Sequence, residues 1–580
     1  MPVQSVFRKV CFAVVATMAF ALASCVARRV DAPSSGGFDV IIEGGRIVDG
    51  TGDAWFYGDV AIQGDRIARI APPGVLRSAT AKARLDARGL VVSPGFIDIQ
   101  SHSRDAFLSG DSRVVSKITQ GITTEIMGEG WTNAPANDKT LASVTAVDPG
   151  VAPDSVNRQF VGPDGFNAWL EYMGRRGVTP NIGSFTGATT LRVYAKGAAQ
   201  GPATPAELDT MRAATARAMQ NGAFGVASAL IYPPGNFASA DELIEIAKAM
   251  SPYGGVYISH MRSEADQFLE AIDELLRIGK EGGVPVEIYH LKAAGVRNWP
   301  KALKAIAKID SARASGLDVQ ANMYPYVAGG TGLSACTPPW ASADDKLLDN
   351  LKDPATRAKI VAEMNSSRTS WENLCQLATP SGVMMVGFQK PEFAKWEGKR
   401  IAEIAADMKK DWANAVIDVL LATEGQAGML VFMMDEANVE FQLKQPWIKF
   451  GTDAGGVDPD SAKQLVHPRA YGTFPRILGL YVRDRGLMSL EEAVRKASSA
   501  VATRLSLQDR GLLREGMFAD VVVFDPATIA DKATFTQPHQ MSVGVRDVFV
   551  NGVQVVAGGK HTGAKPGRVV RGPGWTGRVP

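Results

Sequence analysis

The 580-residue sequence predicts an α/β protein: a (β/α)8 TIM-like barrel, a small β-sandwich domain formed by both termini, and a subdomain inserted after the seventh barrel strand. Three observations lead there. Short apolar, β-branched runs alternate with helical stretches through the middle of the chain, as parallel strands joined by crossovers do. The two ends are strand-rich and punctuated by Gly-containing turns. Side chains able to bind a metal recur just past the strands, where a parallel barrel keeps its chemistry.

Taken in order, the chain opens with a targeting segment. Arg8-Lys9 form a basic region, residues 10–22 an apolar one, and Leu22-Ala23-Ser24-Cys25 resembles a bacterial lipobox. Residues 1–24 therefore read as a lipoprotein-type signal peptide, with Cys25 the lipidated residue of an exported, membrane-anchored protein facing the periplasm. A plain secretory signal cut slightly later is the alternative. Residues 38–90 and 510–565 carry the short strands of the composite β domain, with Gly44-Gly45, Asp49-Gly50, Gly64-Asp65 and Asn551-Gly552 as turns.

The barrel is expected over residues 91–509. Its strands read as 96–99, 122–127, 179–185, 224–230, 255–259, 284–289, 317–323 and 447–450. Helical stretches such as 205–221 and 239–250 separate them, and Ser239 with Glu242 reads as a capping box. The insertion, about residues 333–399, carries Cys336 and Cys375, which could form a disulfide or stay as two free thiols. Lys+Arg 62 against Asp+Glu 60 gives a net charge of +2, so no nucleic-acid footprint is implied. Only six His occur, which makes their positions informative.

His102 follows the first strand, Glu129 the second, His260 the fifth, His290 the sixth and Asp453 the eighth. Alone, each has a bland reading as a hydrogen-bonded core or turn residue. Five at equivalent strand ends converge on one barrel mouth. Imidazole with carboxylate suits Zn²⁺.

The phrases PGFID-x-x-x-H (94–102), SHMR (259–262), HLK (290–292), YPY (324–326), GTD (451–453) and HPR-x-YGTFPR (467–476) resemble N-acyl-D-amino-acid deacylases, or D-aminoacylases, of the amidohydrolase superfamily. The resemblance covers about residues 39–556. It implies a hydrolase of linear amides, with one tightly bound zinc on Glu129, His260 and His290. Glu129 stands where relatives commonly have Cys. A weak second site would use His102, the bridging Glu129, Asp453 and the residue at position 100; relatives have His there and this chain has Gln100. Arg104 stands where relatives often have Asp. The expectation is one functional metal, with Asp453 as general acid/base. The resemblance further implies that Lys292, Tyr324 and Arg469 hold the substrate's α-carboxylate, with Tyr232 lining the pocket. A family Ser after the YPY phrase is replaced by Gly330, with Thr331 adjacent. His467 reads as structural, and His539 and His561 as incidental.

The implied substrate is an N-acyl-D-amino acid or a short peptide ending in a D-residue. A dipeptidase or a cyclic-amide hydrolase of the same superfamily is the alternative enzyme. The cyclic-amide enzymes usually carry a carbamylated Lys after the fourth strand, where this chain has Ala229-Leu230-Ile231-Tyr232. A catalytically dead, ligand-binding lipoprotein is the alternative of a different class.

Overall fold

A computed structural model describes residues 37–147, 154–367, 369–460 and 462–577. The expected signal segment and Cys25 lie outside them. Among the described residues no helix is long and apolar enough to cross a membrane.

Eight parallel strands form the barrel: Phe96–Asp98, Ile122–Met127, Asn181–Ser184, Gly225–Ala229, Val256–His260, Val286–Ile288, Val319–Met323 and Ile448–Phe450. Nearly every residue of these strands is buried, as expected when both faces of a parallel sheet are covered. Closure comes at the strand ends. Thr186–Gly187 continues the third strand and pairs with the fourth. The Asp453 N–H donates to the Gln100 carbonyl at 2.9 Å, joining eighth strand to first at the future site.

The surrounding helices follow local rules. Pro205–Gln220 begins with Pro at the first turn and a reciprocal Thr204–Glu207 capping box. Phe268–Gly282 buries Phe268, Ala271, Ile272, Leu275 and Ile278, one stripe at helical spacing. Ser239 caps Ala240–Met250 by accepting the Glu242 N–H. The expected box is only half made, because the Glu242 carboxylate grips the buried Arg192 Nη1 at 2.6 and 2.8 Å. A buried guanidinium needs a counter-charge more than an exposed helix end needs a second cap.

Both termini meet in one nine-stranded sheet. Val521–Phe524 runs antiparallel to Val91–Pro94, so the β domain continues to Pro94 and the barrel begins after it, not at residue 91. The period-2 alternation explains the join: Val521 and Val523 pack among Ile62, Val92 and Phe549, while Val522 and Phe524 face the barrel. There Phe96 stacks on Phe474 at 5.3 Å and meets Phe524 at 6.5 Å. Past residue 565 the chain follows the start of the third strand, with Ile182 and the 568–570 backbone exchanging bonds of 2.9 and 2.8 Å.

The insertion is wider than 333–399. A three-stranded antiparallel sheet, Ala328–Gly332, Val383–Val386 and Gly428–Phe432, frames it, and helices out to Trp412–Ala422 pack into its own core. Amphipathic helices read alike on either side of residue 399; only the pairing of 328–332 with 428–432 sets the boundary. Cys336 and Cys375 are joined by a disulfide with Cα atoms 5.2 Å apart, which settles the alternative the sequence left open.

Candidate metal centre

The loops after the first and eighth strands are held from below by a buried polar network. Asp98 Oδ1 accepts the N–H groups of Thr452 (2.9 Å) and Gln100 (3.1 Å), and its other oxygen bonds Lys117 Nζ at 2.6 Å. Lys117 also bonds the Thr452 hydroxyl. Ser103 Oγ donates to Glu125 at 2.5 Å and accepts the Gly456 N–H at 2.8 Å. This apparatus fixes where His102 and Asp453 emerge. Asp453 (φ 50°) and His290 (φ 35°) both sit in the left-handed region, which a non-glycine residue occupies only when its surroundings impose it.

At the mouth the expected residues converge. Glu129 Oε1 lies 3.1 Å from His260 Nδ1 and 3.3 Å from His290 Nε2. His102 Nε2 lies 2.9 Å from Asp453 Oδ1 and 3.4 Å from Glu129 Oε2. The donor set fits zinc: tetrahedral bonds of about 2.0–2.1 Å place neighbouring ligand atoms roughly 3.3 Å apart, close to the separations of Glu129 from both imidazoles. Burial opposes ionisation of Glu129, yet His290, His102 and His260 hold its carboxyl well below the usual range. Burial likewise resists charge on Asp453, but Arg469 and the nearby imidazoles pull it down to about 2. Burial also resists charge on His102, but the Asp453 and Glu129 carboxylates raise it to about 9.

Gln100 is turned into this cluster as a donor. Its Nε2 bonds Glu129 Oε2 at 2.6 Å, and its buried Oε1 has no hydrogen-bond partner among the described residues. An amide N–H, which has no lone pair to offer a metal, thus meets the Glu129 oxygen that the expected second site would share.

Arg469 ion-pairs with Asp453 Oδ2 at 2.6 Å and lies 4.6 Å over the Tyr324 ring. Arg469 Nε and Tyr324 Oη, both buried, have no hydrogen-bond partner among the described residues. His467 is structural: its Nε2 bonds the Ala328 carbonyl at 2.8 Å and its Nδ1 accepts the Arg469 N–H at 3.0 Å. Tyr232 lines the cavity, with its ring against His260 at 5.2 Å and its hydroxyl accepting from Thr331 at 2.9 Å. His539 and His561 bond Tyr471 and Thr179 outside the cavity, and Arg104 pairs with its neighbour Asp105.

Lys292 lines the cavity, but held by partners of this chain. Its ammonium is gripped by Glu264 at 2.6 and 2.7 Å and touches His290 Nδ1 at 2.7 Å. Glu264 escaped the sequence reading. Its two oxygens lie 2.9 Å from His290 Nδ1 and 3.7 Å from His260 Nε2, so one carboxylate faces the outer nitrogens of both imidazoles. The spacing His260-x-x-x-Glu264 was a signal available in the sequence. Glu372, contributed by the insertion, offered none; it reaches the site only through the tertiary fold.

The whole assembly opens into a cavity of about 1190 Å³ between barrel and insertion. Residues 443–556 match the model of an amidohydrolase family. A D-aminoacylase of Alcaligenes xylosoxydans xylosoxydans is 35% identical over 92% of this chain and 97% of its own length. The chain belongs to the D-aminoacylase family. An N-acyl-D-glutamate deacylase of the same organism is 33% identical, over 92% of this chain and 96% of that one. Among solved structures, an N-acyl-D-glutamate deacylase from Bordetella bronchiseptica, complexed with zinc and a phosphonate mimic of the tetrahedral intermediate, superposes with a TM-score of 0.75 at 30% identity, over 92% of this chain and all of that one. A D-aminoacylase whose binuclear centre shows one-metal activation and second-metal attenuation superposes equally well at 32% identity, with the same shares covered. An L-hydantoinase from Arthrobacter aurescens, 17% identical with a TM-score of 0.53 over 92% of this chain and all of that one, shares the fold alone.

Proposed function

We propose that this D-aminoacylase-family enzyme hydrolyses the acyl–nitrogen bond of N-acyl-D-amino acids, using one zinc on Glu129, His260 and His290. The observation that carries it is the juxtaposition, in one cavity, of that donor triad with an ionised Asp453 and with Arg469 Nε and Tyr324 Oη, which have no hydrogen-bond partner among the described residues. When bound, the metal supplies Lewis-acid polarisation of the amide carbonyl and of the attacking water. Arg469 and Tyr324 present donors matched to an α-carboxylate, so a substrate anchored there lies beside Asp453. Asp453 takes a proton from the attacking water and returns it to the leaving amine, which must be protonated to depart. Lys292, held by Glu264, steadies the outer side of His290 and reaches a carboxylate only if that pair loosens. A peptide ending in a D-residue meets the same anchor. The Gln100 N–H on Glu129 supports a single metal, and the lipobox at Cys25 supports anchoring at a periplasm-facing membrane. A cyclic-amide hydrolase finds no Lys at 229–232 to support it, and the intact triad with Asp453 speaks against a dead binding protein.

The test is amine release by the zinc-loaded protein from matched N-acetyl-D- and N-acetyl-L-amino acids and dipeptides. Release confined to D-configured substrates is expected. Release from L-dipeptides alone would make it a peptidase, and zinc binding with no release from any would make it a binding protein.

A further inference from the structure

The cavity is far larger than the metal cluster, and its charges are unevenly satisfied. Arg262, Lys292, Arg297 and Arg469 line it, and each is already held by a carboxylate: Glu274, Glu264, Asp266 and Asp453 respectively. Lys352, which also lines it, is exposed to solvent. Glu372 is the opposite case. Its Oε2 accepts the Glu264 N–H at 2.8 Å, while its Oε1 is buried with no hydrogen-bond partner among the described residues.

The loop bearing Glu372 is firmly placed. Trp371 Nε1 donates to Glu363 at 2.6 Å, Asn373 Nδ2 donates to the Met364 carbonyl at 3.0 Å, and Cys375 is tied to Cys336. A buried carboxyl oxygen with no hydrogen-bond partner among the described residues, on a braced loop in a substrate-sized cavity, is a recognition element in waiting. A donor from a ligand would satisfy it. Once ionised, above about pH 7, Glu372 would meet a second carboxylate with like charge, with no free cation among the buried groups described to offset it. Burial and the neighbouring Glu264 charge push the Glu372 carboxyl up to about 7, outweighing the Ser263 side chain, the Glu264 N–H and the Lys292 charge that favour its ionised form.

We propose that Glu372 is a specificity-determining residue that restricts this enzyme to N-acyl-D-amino acids with neutral or basic side chains and rejects acidic ones. This rests on the deacylase reading above and names the substrate class of the same site. The isosteric pair N-acetyl-D-glutamine and N-acetyl-D-glutamate isolates charge from shape, and N-acetyl-D-lysine adds the basic case.

The experiment measures kcat/KM of the zinc-loaded protein for these three substrates at pH 8.5, where the Glu372 carboxyl is ionised, in the parent and in Glu372→Gln. The parent is expected to favour D-glutamine over D-glutamate by at least about 100-fold, the scale of a desolvated like-charge contact. Glu372→Gln is expected to narrow that ratio about tenfold and to lower the D-lysine to D-glutamine ratio, as loss of one facing carboxyl group requires. Equal use of D-glutamate and D-glutamine by the parent overturns the proposal without any variant and leaves the deacylase reading standing. An unchanged ratio in a folded Glu372→Gln protein removes Glu372 from the selectivity. No release from any D-derivative overturns both readings.

Discussion

Asp453→Asn keeps the side chain's size and an acceptor oxygen for His102, but it removes the capacity to carry a proton. In the structure Asp453 Oδ1 lies 2.9 Å from His102 Nε2, and Oδ2 lies 2.6 Å from Arg469. The Glu129–His260–His290 cluster does not include it, so the metal should be retained. On the proposed mechanism one carboxylate serves both the deprotonation of water and the protonation of the amine, so the loss should lie at the upper end of the general acid–base range. That is about 10⁴-fold in kcat, or roughly 5.5 kcal/mol of transition-state stabilisation. KM should not rise, since Arg469 loses its counter-ion and becomes freer to bind the substrate carboxylate. The assay is amine release under saturating N-acetyl-D-amino acid, with zinc measured per chain on the same sample. Turnover within tenfold of the parent, at equal zinc content, would refute the assignment. A variant that loses its metal would instead place Asp453 among the ligands.

Three further outcomes are expected. Gln100→His replaces the N–H that now bonds Glu129 with a ring nitrogen able to ligate, so tightly bound zinc should rise from about one to two per chain by elemental analysis; no rise would mean that Gln100 does not limit the second site. The Glu372 carboxyl, raised to about 7 from an ordinary 4.5, keeps its proton in the folded state when the unfolded chain has lost it, so it favours folding at low pH and that contribution disappears as pH rises through 7. Glu372→Gln should therefore be the more stable protein at pH 8, by about 3 kcal/mol at most, with the difference gone below pH 4 in urea titrations; a less stable variant at pH 8 would show the carboxylate to be well paired. Cys375→Ala opens the link between positions 39 apart in sequence, which should cost about 4 kcal/mol of subdomain stability on loop-entropy grounds, read as earlier hydrogen-exchange opening of residues 328–432 than of the barrel.

Much was legible because barrel strands are short, apolar and regularly spaced. The eight strands, and the side chains able to bind a metal that stand at the end of five of them or up to four residues beyond, follow from local pattern together with the rule that parallel strands point their ends one way. Asp453 and Glu129 could be placed in one site before any coordinate was known, because strand order fixes which loops meet.

Other features were decided only in three dimensions. The limits of the insertion depend on Ala328–Gly332 pairing with Gly428–Phe432 across roughly a hundred residues, and no local signal encodes such a partner. The grip of Glu242 on Arg192 in place of a full capping box was settled by burial, which the local motif does not report. The resemblance implied that Lys292 holds the substrate's carboxylate, and Lys292 does line the cavity. Only the fold shows its partner here, Glu264, a carboxylate from a neighbouring strand's loop that a buried ammonium cannot forgo. Gln100 shows the division most plainly. Its identity announces a missing ligand, but that its amide donates to Glu129 depends on side chains from two strands meeting at 2.6 Å. The sequence by itself determined the barrel and the set of ligand-type side chains at its strand ends, since these rest on periodicity and residue chemistry; the resemblance to D-aminoacylases supplied the proposal of which hold the metal and which carries the proton. The tertiary structure decided which charges neutralise which, because electrostatic pairing in a buried site is a matter of distance, and distance between remote residues exists only once the chain has folded.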